Sequence, residues 1–148
     1  EELIEMGATV TAYWPGITDD DLVSQPGFFN DDNAWGNFMA ERENEEAALA
    51  AFHRLNAGAL LTYTTNGVDD DAVDWYAPWR IASACVSLAD AVRAEHQDIN
   101  LILEVYARNA NGIDPIKDEF IRDLSDIEAI AKWAEERGVE RMTLAVNW

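Results

Sequence analysis

The chain has 148 residues, with 29 acidic side chains against 10 basic ones and a formal net charge of −19 at pH 7. That is one domain, residues 1–148, of a size able to bury about 68–70 % of its unfolded surface. Its 49 % hydrophobic content excludes a disordered acidic tail.

The alternation and β-branched content of Thr9 to Trp14 (TVTAYW) predict a first strand, stopped by Pro15-Gly16. Thr18 with Asp21 three residues on is a capping-box pattern and predicts a short helix ending before Pro26-Gly27. Asn30 or Asp31 caps a second expected helix, with Trp35, Phe38 and Met39 on one face. Asn44, Glu45 and Glu46 open a third, with the stripe Leu49, Phe52, Leu55 and Gly58 as its terminator. Leu60 to Thr65 (LLTYTT) reads as a second strand, followed by a tight turn at Asn66-Gly67. Val68 to Ala77 is read as either a short edge strand or a loop. Arg80 to His96 is a helix, with Ile81, Cys85, Leu88, Ala89 and Val92 on its apolar stripe. Leu101 to Arg108 alternates like a half-solvated strand. Ser125-Asp126-Ile127-Glu128 is a capping box for a last helix closed by Gly138, and Met142 to Trp148 is the last strand. The expected fold is α+β: a two-layer domain with a mixed or antiparallel sheet of about four strands and helices mainly on one face.

Known chemistries find little support. Neither GxGxxG nor GxxxxGK[ST] occurs, and lysine is confined to Lys117 and Lys132, so nucleotide phosphates have few cations to meet. Zinc needs three or four close Cys or His ligands, whereas Cys85, His53 and His96 stand far apart. Cys85 lies on an apolar stripe, where thiols behave as small hydrophobes rather than nucleophiles. Calcium loops starting at Asp31 or Asp69 fail, because Trp35 or Val73 occupies a ligand position. With 29 acids, some carboxylate pair always sits at a glycosidase-like separation, so that pairing carries no weight. A non-enzymatic protein without cofactor or metal is expected. No apolar run approaches the roughly 20 residues of a membrane span, and no signal peptide opens the chain. The start at Glu1 rather than Met reads as a missing short leader or tag, and the single cysteine suits a reducing cytoplasm.

The distribution of charge is the informative feature. The first 79 residues hold sixteen acids against Arg42 and Arg54, a formal charge of −14, while residues 80–148 hold −5. Such a field repels nucleic acid and anionic membrane and attracts basic protein surfaces. Three clusters carry it: Asp19, Asp20 and Asp21; Asp31 and Asp32 with four nearby glutamates; and Asp69, Asp70, Asp71 and Asp74. Tyr13, Trp14, Trp35, Trp75 and Trp79 lie beside them, and apolar rings rimmed by charge are the anatomy of an interface. The aspartates of these clusters, with Trp35 and Trp75, are the expected partner-binding residues. In size and charge balance the chain resembles acidic inhibitors, namely phage anti-restriction or anti-CRISPR proteins and toxin-neutralising immunity proteins. The leading expectation is a DNA-mimic-like inhibitor of a nucleic-acid-handling protein. The alternatives are an immunity protein against a cationic toxin, or acidity that serves solubility at high salt. Exposed rings on an edge strand would equally suit a homodimer.

Overall fold

The computed structural model describes residues 9–26, 35, 38–39, 45–62, 64–65, 74–108 and 115–147. β1 (Thr9–Tyr13) pairs antiparallel with β3 (Thr143–Asn147), from Thr9 opposite Asn147 to Tyr13 opposite Thr143. A two-residue β2 (Thr64–Thr65) runs parallel along the other side of β3, giving the order β1-β3-β2. Tyr76 adds one antiparallel bridge to Met142 just before β3. The helices whose bounds fall among the described residues are α1 (Asp19–Val23), α2 (Glu46–Arg54), α3 (Pro78–Arg93), α4 (Ile99–Ala107) and α5 (Ile116–Glu136).

The expected four-stranded, two-layer α+β fold is therefore wrong: the chain is predominantly helical around a small sheet. Leu101 to Arg108, expected as a strand, lies in α4. Its buried residues Ile99, Ile102, Leu103 and Tyr106 recur at i, i+3, i+4 and i+7, the helical period. The apolar side of the alternation, Leu101, Leu103, Val105 and Ala107, shares only Leu103 with that stripe, and burial against α2 and α5 decides for the helix. Leu60 to Thr65 also yields little strand, because Gly58–Leu61 closes into a 3-10 turn first. The Ser125 box lies inside α5, which begins after Pro115 and runs unbroken to Glu136. Gly138, at φ 81°, ends it as expected.

Other local signals act where the sequence puts them. The Thr18 hydroxyl accepts the Asp21 N–H at 3.0 Å and caps α1. Pro78 occupies the first turn of α3, where its missing N–H costs nothing. Asn56 rather than Gly58 supplies the left-handed residue after α2, at φ 60°. A Cβ at Gly58 would sit 2.9 Å from Nδ1 of His53, an exposed side chain free to swing aside. The Asn30 or Asp31 cap and the Asn66-Gly67 turn lie outside the described residues.

The longest helix seam joins α3 to α5. α4 packs on α2 and α5, and α5 also covers β1. All five expected stripe residues of α3 are buried in the common core. β1 is an edge strand, and its outer side is closed by a side chain. Ala12 N–H donates to Gln25 Oε1 at 2.6 Å, and Gln25 Nε2 donates back to Ala12 O at 3.0 Å. This buried amide satisfies the edge as a neighbouring strand would.

Candidate functional site

The sheet's register builds a cluster of rings at one end. Tyr13, the last residue of β1, stacks on Trp75 with ring centres 6.2 Å apart and planes 29° apart. Trp14 leaves the strand next and meets Trp133 of α5 at 5.8 Å. Tyr76 is held to Met142 by paired backbone hydrogen bonds of 3.0 and 2.8 Å, which set it beside the Tyr13–Thr143 rung. Thr62 secures the same segment, its hydroxyl donating to the Asp74 carbonyl and lying 2.6 Å from the Thr143 hydroxyl. Tyr13, Trp14, Trp75, Tyr76 and Trp133 are all half-buried, so each keeps a face towards solvent. Arg80 lies over Tyr76 at 4.9 Å and Arg137 over Trp133 at 4.5 Å, both within cation–π range.

Acids border these rings. Asp19 and Asp20 are exposed in the first turn of α1, where carboxylates also favour the positive end of the helix dipole. Asp21 instead turns inward to Arg137 at 3.0 Å. Asp74 is exposed beside Trp75. Among the described residues no cation pairs with Asp19, Asp20 or Asp74. The end is not uniformly acidic, since a notch of about 420 Å³ beside Trp14 is lined by Arg137 and Arg141 together with Glu140.

The Tyr13–Trp75 stack thus holds the segment that carries Asp74 against the end of β1, while the first cluster reaches the Trp14–Trp133 pair through Asp21 and Arg137. Trp35 does not belong with them. It is fully buried against Phe38 at 5.0 Å and Phe120 at 5.8 Å, so its role as a partner-binding anchor is corrected to a core one. The residue is large and apolar, and its spacing with Phe38 and Met39 is that of an inward helix face. Asp31, Asp32, Asp69, Asp70 and Asp71 lie outside the described residues.

A second polar cluster went unread in the sequence. Glu119 and Asp123, one turn apart on α5, are both completely buried, as is Tyr106 of α4. Tyr106 Oη donates to Asp123 Oδ2 at 2.5 Å, whereas Asp123 Oδ1 and both Glu119 oxygens have no hydrogen-bond partner among the described residues. Burial pushes the Asp123 carboxyl up to about 7, with the Glu119 charge adding and the Tyr106 hydrogen bond opposing. The Tyr106 hydroxyl is driven above its usual range by burial and by the neighbouring carboxylate. The available signal was two acids set among Phe120, Leu124 and Ile127 on one inward stripe.

Other chemistry is muted. Burial pushes the Cys85 thiol far above its ordinary range, so it is a poor nucleophile. Among the described residues no group of three or more His, Cys, Asp or Glu side chains is arranged to hold a metal ion. Among them too, no helix is long and apolar enough to cross a membrane. Compared with family models, curated proteins and solved structures, the chain matches none.

Proposed function

We propose that this protein is a non-enzymatic acidic inhibitor that docks its ring-bearing end onto the basic surface of a nucleic-acid-handling protein. The observation that carries this reading is a set of partly exposed rings at one end of the sheet, with the exposed Asp74 next to Trp75 in the chain and the exposed Asp19 and Asp20 a short turn beyond Trp14. Rings give contact area at low entropic cost, and unpaired acids speed encounter with a cationic surface. The −14 charge of the first 79 residues equals that of about seven base pairs of duplex, enough to compete for a phosphate channel. The arginines interleaved with the rings favour a second reading, an immunity protein against a cationic toxin. There, hot-spot rings outweigh the long-range field.

Immobilised protein is incubated with cell lysate at low and high salt, and captured proteins are identified by mass spectrometry. The expected catch is basic nucleic-acid-binding protein, released by salt and by duplex DNA. Combined Asp19→Lys, Asp20→Lys and Asp74→Lys should lose it. Capture that ignores both salt and the triple substitution overturns the reading; where the protein so captured is a cationic toxin, and DNA does not release it, the outcome selects the toxin-binding alternative.

A further inference from the structure

The α3–α5 seam carries an open apolar groove. Trp79 is 59 % exposed and Val86 45 %, large apolar side chains that folding has left to solvent. Two depressions run beside them. One of about 300 Å³ lies between Trp79 and Glu135. The other, of about 140 Å³, lies between Ile121 and Arg93. They share Val86 and Glu128, so they lie end to end along the seam on either side of that pair. Small side chains, Ala82 and Ala89, make their floor, leaving room for an inserted row of larger ones. From Trp79 to Arg93 they follow fourteen residues of α3, about 21 Å at 1.5 Å per residue. That length matches three to four turns of an added helix.

Charge decides what kind of helix. Both cations on the rim are answered within their own helices, Lys132 by Glu128 at 3.0 Å and Arg93 by Asp90 at 3.5 Å. Glu135 is left exposed at the Trp79 end, and Trp79 lies three residues along the chain from Tyr76. A second copy of a chain carrying −19 would be repelled. We propose that this groove receives an amphipathic helix of the basic partner, its apolar stripe over Val86 and its basic residues gathered towards Trp79 and Glu135. This rests on the inhibitor reading above and names the element of the partner that is gripped. Helix-in-groove recognition of this kind is read out by anchors at i, i+3, i+4 and i+7.

The probe is a fluorescein-labelled, 14-residue leucine–lysine peptide patterned as an amphipathic helix, with an isomer of identical composition whose leucines are scattered around the helix. Anisotropy titration with the full chain should show the patterned peptide binding about tenfold more tightly than its isomer. Val86→Glu should remove that preference although it adds an acid, so the loss cannot be electrostatic. Trp79→Ala should weaken binding in the same direction, and both positions are exposed enough to leave the fold intact. Equal affinity for the two isomers, or a preference that survives both substitutions, overturns the groove. If salt-released capture from lysate persists alongside that result, the acidic-end reading stands and only the groove falls. A retained peptide preference with salt-indifferent capture overturns the acidic-end reading instead, and with it the identity of the groove's occupant.

Discussion

Replacing Asp123 by Asn should stabilise the protein at neutral and alkaline pH while leaving its acid stability unchanged. In the folded state the carboxyl is held up to about 7, against an ordinary value of 3.8. Between those values the folded chain binds a proton that the unfolded chain has released, so stability falls as pH rises, and above about 7 the penalty is complete. At about 1.4 kcal/mol per pH unit, the interval amounts to about 4 kcal/mol, a large part of the 5–15 kcal/mol usual for a domain. Asn matches the protonated acid in shape, keeps an acceptor for Tyr106 Oη, and carries no charge to bury beside Glu119. The Tyr106 hydrogen bond is already contained in the raised position of the carboxyl, so the variant should be about 4 kcal/mol more stable at pH near 8 and equal at pH near 4. Urea denaturation of both proteins across that range measures the difference directly. The overall charge of −19 also loosens the fold as pH rises, but it acts almost equally on both chains and cancels in the comparison. Stability curves that stay parallel from acid to alkali would refute the reasoning.

Gln25→Ala should cost about 2 kcal/mol, because it strips two buried hydrogen bonds from Ala12 and leaves both backbone groups bare. The same variant should associate at high concentration through the uncovered strand, visible by light scattering; a monomeric variant of unchanged stability would contradict this. Cys85 should resist iodoacetamide in the native protein at pH near 8 and react promptly in urea, since its thiol is both buried and held protonated. Native labelling at the rate of a free thiol would disprove it.

The parts of the structure visible in the sequence are those that local rules govern. Thr18 caps α1, Gly138 ends α5, and the α3 stripe from Ile81 to Val92 faces inward, each a matter of a few neighbouring residues. The first and last strands also lie where β-branched residues gather. What failed depended on distant partners. Whether Leu101 to Arg108 is helix or strand turns on α2 and α5 packing against it, and no spacing within eight residues can report that. The same holds for the site. Asp74 is plainly acidic in the sequence, but its place at the end of β1 depends on Tyr13 reaching Trp75 across 62 positions. Trp35 was misplaced because a large ring beside acids looks the same in sequence whether it anchors a partner or fills the interior. Glu119 and Asp123 were hidden by the expectation that acids face water; their place among Phe120, Leu124 and Ile127 argued otherwise.

The pairing of Thr9 with Asn147 sets an order of events during synthesis. The ladder partner of β1 is made about 130 residues after it, so the sheet cannot close until all the intervening helices have been synthesised. Gln25 is only thirteen residues away and is ready almost at once to cover one side of that waiting strand. A single carboxamide can thus act as an early chaperone in cis, shielding a nascent segment while the helices assemble.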